Sequence, residues 1–223
     1  MIHSPLHAPP TAERAYRRAR VLLAVTARAL FELLPERWPE IVRLRAWMMR
    51  ESLWPEAEPS EIALLNAAPG GLASRDAIDG GWRIEGVAVL CWSLGLAPLP
   101  ALDEQAEPSR YRACLGFLAP APAIEVALRA EPELATYFEQ TAHDRRLLLH
   151  HLELAARLSQ PSELAGSEPD ELAHAALTID GRPVTESGDD EVRRVASAAH
   201  ERCIAAGWLL GRAPMYADVA ATL

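Results

Sequence analysis

The chain has 223 residues, 50% of them hydrophobic and 24% charged, which is enough to bury a substantial core without disulfide or metal staples. Its formal net charge of -9 argues against general nucleic-acid binding, because that needs a basic face to displace counterions from phosphate. Every basic side chain is arginine, since the sequence contains no lysine, and this excludes a lysine-bearing phosphate loop.

Ala, Leu, Arg and Glu dominate the composition, and all four favour helix. The 18 prolines fall mostly between apolar-periodic segments, where they punctuate helices. The expected fold is therefore all-α, a single multi-helix domain over residues 11–223. Residues 1–10 carry no charged start followed by an apolar run, so they are no signal peptide and are expected to form a loosely held lead-in.

The first helix is expected to begin near Thr11, a good N-cap, and to stop at Pro35. Ala15, Leu22, Val25, Ala29 and Leu33 give its stripe, widened by Leu30, Phe31 and Leu34. Arg14, Arg17, Arg18 and Arg20 cluster in its first half. They read either as an anion or nucleic-acid patch or as a solvated face paired with carboxylates such as Glu13, and the acidic balance favours the second. A second helix is expected from Pro39 to about Leu53, with Ile41, Val42, Leu44, Trp47 and Met48 inward. A short third helix, capped by Ser60, runs through Asn66, and Ser74 caps a start at Arg75–Ile78 that Gly80-Gly81 interrupts or kinks.

The stretch Trp82–Leu96 is apolar almost all round. Trp82, Glu85, Val89, Trp92 and Leu96 share one arc, and Ile84, Val87, Cys91 and Leu94 share the opposite one. A helix of this kind is buried on every side, which predicts a central helix with the others packed around it. It is too short and too charged (Arg83, Glu85) for a membrane span. A polar acidic linker at 103–108 follows and is the expected subdomain boundary. Short helices are expected over Ser109–Leu118 and Ile124–Arg129. A long helix is expected from Glu133 to about Leu158, with Leu134, Tyr137, Phe138, Thr141, Leu148, Leu152 and Ala155 inward. In the polar stretch 162–190, a helical turn is expected over Asp170–Ala176, and a small β-hairpin near residues 177–185 turns at Asp180-Gly181, with Pro183 limiting its second arm to an edge. The last helix is expected from about Glu191 to Leu210, with Gly211 as its C′ residue.

Chemistry-bearing residues are sparse. Glu85 lies on the buried helix, where an unpaired carboxylate is costly, so it needs a partner or a proton. Arg202 is the favoured partner, with Arg83 and Arg146 as alternatives. A structural ion pair that docks the terminal helix outweighs a general acid or base, because no nucleophile or second carboxylate lies nearby in sequence. His143 and His150 are seven residues apart, roughly 10 Å along a helix, too far for one ion. His150 and Glu153 are three apart and are the weak metal candidates, but they lack the His-Glu-x-x-His order of zinc hydrolases, so no metal or other cofactor is expected. Cys91, Cys114 and Cys203 form no Cys-x-x-Cys pair and fit reduced core thiols of a cytoplasmic protein.

The segment Trp82-Arg83-Ile84-Glu85, running on to Leu90-Cys91-Trp92-Ser93-Leu94-Gly95, resembles the Trp-x-x-Glu helix and Leu-x-Trp-x-Leu-Gly turn of a bacterial family, domain of unknown function 4272. Glu201-Arg202, Ala206, Trp208-Leu209 and Asp218-Val219 resemble that family's ending. The chain departs from the pattern at Tyr216-Ala217 and Thr222-Leu223, where the family offers Trp-Asp and Asp-Thr, so it lacks those carboxylates. The resemblance implies an α-rich soluble domain and carries no reaction with it.

Two functions are expected from different classes. The first is a protein-binding or regulatory module, of which an immunity-like form would set an acidic helical surface against a basic partner. The alternative is an enzyme or small-ligand-binding protein with a pocket near Glu85, Arg202 and Trp82. No catalytic motif, nucleic-acid partner or membrane attachment is expected. A concave pocket with convergent polar groups would favour the alternative, and a flat exposed apolar patch the first.

Overall fold

The computed structural model describes residues 7–158 and 177–223. The helices are α1 (Ala12–Glu32), α2 (Trp38–Arg50), α3 (Pro59–Asn66), α4 (Ser74–Ser93), α5 (Pro108–Tyr111), α6 (Glu131–Leu158) and α7 (Asp189–Leu209). A two-stranded antiparallel ladder, β1 (Thr178–Ile179) and β2 (Arg182–Pro183), precedes α7. Short 3-10 turns flank α2 and follow β2, and Ala217–Thr222 closes the chain with another. The fold is mainly α and forms a single domain.

Two helices share the centre. α4 is buried at Ile84 through Cys91, as its all-round apolar pattern requires. α1 is buried just as deeply, from Ala15 to Phe31 with few gaps, and these two make the most extensive helix pair. α7 packs on the other side of α4, and α6 packs on α7. The layer order α1, α4, α7, α6 leaves α4 covered from two sides. Gly80 and Gly81 do not break α4, which runs unbroken from Ser74. Gly80 instead lets α1 and α3 come close, since a Cβ there would lie 3.0 Å from Ala29 and 3.2 Å from Leu64. The charge of Arg83 is met by Glu201, so the helix carries its polar residues without an orphan.

Several boundaries differ from expectation, each for a local reason. Thr11 caps α1 through a 3.2 Å bond from the Arg14 amide, as expected. Leu33 and Leu34 lie beyond the buried stripe and are exposed, and so is Leu30. Val42 also faces out, because it lies off the face of α2 that buries Ile41, Leu44, Trp47 and Met48. α2 ends at Arg50, and Ser52 takes a positive φ before buried Leu53. The cap of α3 is Glu58, whose amide donates to the Glu61 carboxylate at 2.9 Å, so Ser60 is inside the helix. Ser74 is likewise the first helical residue, after Ala73 at the cap. The helix expected over Ser109–Leu118 shortens to Pro108–Tyr111, and Gly116 and Leu118 take positive φ. Residues 121–130 form no helix. Pro120 and Pro122 withhold amide donors there, and the Arg129 amide and side chain bond the carbonyls of Ser93 and Trp92.

The hairpin turns at Asp180 and Gly181, both with positive φ, which is the geometry that an Asp-Gly pair supplies. Ile179 and Val184 seed a second, smaller core with Leu148, Val192 and Val195. The acidic segment near 103–108 is clamped across α7. The Asp103 carboxylate accepts from the Asp180 amide and its carbonyl from Arg194. At the other end of the chain, the His7 amide donates to the Gly211 carbonyl at 2.7 Å and Pro10 is buried. The turn expected at Asp170–Ala176 lies outside the described residues.

Candidate functional site

Glu85 and Arg202 meet in the core. Arg202 Nε lies 2.8 Å from Glu85 Oε2, and both side chains are almost fully buried. The rest of the arginine is used as well: its terminal nitrogens donate to the carbonyls of Ala101 and Glu104 at 2.8 and 2.7 Å. The second oxygen of Glu85 accepts the Ala106 amide at 2.9 Å. The pair therefore ties α4 to α7 and pins residues 101–106 over both. The two alternative partners are engaged elsewhere. Arg83 bonds Glu201 at 2.9 and 3.1 Å, and Arg146 Nε bonds the Ala142 carbonyl. Residues 83 and 85 on α4 thus pair with 201 and 202 on α7, a double clasp between the two sequence motifs.

A second buried network surrounds Arg18, one of the four clustered arginines of α1. Only part of this cluster is a solvated face: Arg14 is exposed and pairs with Glu56, and Arg17 is half-buried. Arg18 and Arg20 are buried, and so is Arg28 further along the helix. Arg18 and Arg20 are met by groups distant in sequence, Arg18 by Glu61 and the Glu56 carbonyl and Arg20 by Glu51, while Arg28 pairs with Glu32 one turn on. Glu58 accepts the amides of Tyr216 and Ala217, so it caps the closing 3-10 turn. Tyr216 lies under the Arg18 guanidinium, 4.7 Å from its ring centre. Glu13, the nearby carboxylate expected to pair with the cluster, plays no part in these bonds.

Among the described residues, neither of the two hollows beside α4 is lined by Glu85 or Arg202. Of the three residues expected to share a pocket, only Trp82 borders one of them. That hollow is a groove of about 650 Å³ between α4, α6, α7 and the closing turn. α4 contributes Ile78, Asp79, Trp82 and Arg83. α6 contributes Arg145, Leu149 and Leu152. α7 contributes Arg193, Ser197, His200, Glu201 and Ile204. Burial pushes the Glu201 carboxyl above its ordinary value, and Arg83 pulls part of that back. Burial also holds the His200 imidazole below its ordinary value, helped by the positive charges of Arg145 and Arg83. Its Nδ1 is buried and makes no hydrogen bond among the described residues. Arg145 makes no ion pair among the described residues, and its buried Nε has no hydrogen-bond partner. Ser197 donates to the Arg193 carbonyl at 2.9 Å, so its hydroxyl proton is already committed. A smaller hollow of about 450 Å³ lies on the other side of Asp79 and Arg83, against α1 and α3.

His150 and Glu153 are both exposed on α6. Among the described residues no three His, Cys, Asp or Glu side chains converge as a metal site. Nor is any helix among them long and apolar enough to cross a membrane. The cysteines are free. Cys91 and Cys203 are buried, and Cys114 is half-buried. The Cys114 Sγ donates to the Tyr111 carbonyl at 3.3 Å; the neighbouring Cys91 lowers the Cys114 thiol to about 7, while Cys114 and burial raise Cys91 well above its ordinary value.

The groove residues Arg145, Arg193 and His200 carry no sequence signal of their own. Their pattern is ordinary helical polarity, and only the packing of α6 on α7 brings them to face Trp82. No family model, curated protein or solved structure matches the chain.

Proposed function

We propose that the protein is a small-ligand-binding protein and that the groove beside Trp82 is its site. One observation carries the reading: a concavity of about 650 Å³ in which an indole and aliphatic side chains converge with guanidinium groups and an imidazole. Ligand sites fall in about this size range and share that make-up, mostly apolar walls with a few placed polar groups. The bonds of Glu85 and Arg202 are all made within the fold, which makes them the support of the site and leaves the groove residues to meet a ligand. Binding without catalysis is the form favoured, because the Ser197 hydroxyl is hydrogen-bonded to backbone and the Glu201 carboxylate is paired with Arg83. Native mass spectrometry of the purified protein tests it: a co-purifying small molecule is expected, and it is lost in Trp82→Ala. A protein that carries nothing and whose Trp82 indole resonance stays still across a fragment library would overturn the reading.

A protein-binding or regulatory role is a second proposal, resting on a different feature. Val42 and Met49 are 66% and 73% exposed, and they lie seven residues apart on one face of α2. An immunity-like form of it rests on the net charge of -9. Loss of a specific cross-linked partner in Val42→Ser/Met49→Ser would support it. Kinship with domain of unknown function 4272 is likewise proposed, supported by the direct pairing of the two motif segments through residues 83, 85, 201 and 202.

A further inference from the structure

We propose that the groove takes a small monocarboxylic acid with an apolar body, its carboxylate held by Arg145 and its body laid against Trp82. The inference rests on the groove being the ligand site and adds the chemical class of what enters it.

Charge decides the head group. Three guanidiniums (Arg83, Arg145, Arg193) and two carboxylates (Asp79, Glu201) line the groove, a net of one positive charge. Asp79 and Glu201 are already paired with Arg75 and Arg83, and Arg193 with Asp189 and Asp190, so among the described residues one guanidinium is left to match a ligand's charge, which suits a monoanion better than a phosphate dianion. The three cations are not equivalent. Arg83 is neutralised by Glu201 at 2.9 Å. Arg193 is an exposed residue 3.6 Å from both Asp189 and Asp190, pairs of the screened surface kind. Arg145 makes neither ion pair nor hydrogen bond among the described residues. The fully buried arginines show the contrast: Arg18, Arg28 and Arg202 are each bonded to a carboxylate. A half-buried guanidinium open to a groove in an acidic protein is a matched receptor for a carboxylate, which it can take through two parallel bonds. The apolar body follows from the rest of the lining, where Trp82 and Ile78 on α4, Leu149 and Leu152 beside Arg145 on α6, and Ile204 on α7 offer indole and aliphatic surface.

His200 supplies an independent readout. It faces Arg145 on α6, Arg83 and Asp79 on α4, and Arg193 and Glu201 on its own helix; the closing turn brings only Ala217 and Ala220 to the groove. The two guanidiniums nearest in effect, Arg145 and Arg83, disfavour its proton. A bound carboxylate offsets that positive charge and so raises the proton affinity of His200. Binding near pH 6.5 should then take up a fraction of a proton.

Isothermal titration calorimetry and ligand-observed NMR with 4-phenylbutyrate, the uncharged 4-phenylbutyramide and phenyl phosphate test the class. The carboxylate is expected to bind about tenfold tighter than the amide, equivalent to about 1.4 kcal/mol. Arg145→Gln should erase that preference while its thermal transition stays in place, and Trp82→Ala should weaken acid and amide alike. The binding enthalpy at pH 6.5 should vary with buffer ionisation enthalpy, and His200→Asn should remove that variation. Equal binding of amide and acid, tighter binding of phenyl phosphate, or a preference that survives Arg145→Gln would overturn the carboxylate class and leave the groove reading standing. Failure of all three probes to bind or to shift the Trp82 indole resonance would overturn both.

Discussion

At the scale of single residues, the packed surroundings give two side chains unusual protonation, and each makes a measurable difference. The unfolded chain protonates His200 near its ordinary value of about 6.5, whereas the folded chain holds the imidazole below its ordinary value. Between those two values the unfolded state binds more protons, so folding stability falls as pH drops through this window and levels off below the folded value. Urea denaturation at a series of pH values should show that slope, and His200→Asn should flatten its share. Cys114 differs from the other thiols for another reason, since its neighbour Cys91 lowers it against the effect of burial. With its thiol lowered to about 7 and half-buried, it should react with iodoacetamide at pH 7.5 well before Cys91 or Cys203, the latter raised to about 12 by burial. Peptide mapping after a short pulse reads the order directly, and equal labelling of all three would contradict it. Neither feature was visible in the sequence. The spacing of Cys91 and Cys114 shows no motif, and His200 gains its surroundings only from α4 and α6.

At the scale of elements, the two glycine types in α4 separate propensity from packing. A Cβ at Gly86 would collide with the Tyr216 hydroxyl and lie 3.1 Å from Leu22, while a Cβ at Gly81 meets nothing within 4 Å. Gly81→Ala should therefore stabilise by up to about 1 kcal/mol through helix propensity, and Gly86→Ala should destabilise by about 1–3 kcal/mol through overpacking. Thermal melts of the two variants should move in opposite directions. The Glu85–Arg202 clasp makes a sharper case. Arg202→Met leaves a carboxylate buried without its cation and should cost about 3–5 kcal/mol, whereas the double variant Glu85→Met/Arg202→Met removes both charges and should recover part of that loss. A double variant no more stable than Arg202→Met would show that the bonds from Arg202 to Ala101 and Glu104 dominate. This clasp was legible before the structure because an ionic residue on an all-apolar helix demands a partner, and Arg202 lies in the other of the two segments that resemble one family. The burial of α1 was less legible for the converse reason. Arg18, Arg20 and Arg28 look like surface residues until Glu61, Glu51 and Glu32 fold over them, and the pairings with Glu61 and Glu51 span 43 and 31 residues.

At the scale of the whole molecule, the chain closes on itself. Tyr216 and Val219, near the end of the chain, are 1% and 0% exposed and belong to the main core with α1 and α4. The glycine at 86 is the notch that receives Tyr216, and Gly207 stands against Val219 in the same way. Glu58 is committed to the tail too, since its carboxylate accepts two amides there. The tail is therefore part of the core, even though its sequence has no strong helical stripe and was legible only as an appendage to the last helix. Ending the chain after Arg212 would expose the aromatic and aliphatic contacts of two buried side chains, strip Glu58 of its donors and leave Arg18 beside an unsatisfied carboxylate. Burial of a Tyr and a Val contributes about 1.5–3 kcal/mol each, and a domain holds only about 5–15 kcal/mol in total. The shortened protein should lose its cooperative melting transition or melt far lower. Ending the chain after Ala221 should change little, because the residues removed are exposed. If both versions melted like the full chain, the tail would be an attachment on a core complete without it. The groove wall at Ala217 and Ala220 would then be dispensable as well, so the same two truncations test whether the candidate site and the fold share one closing element.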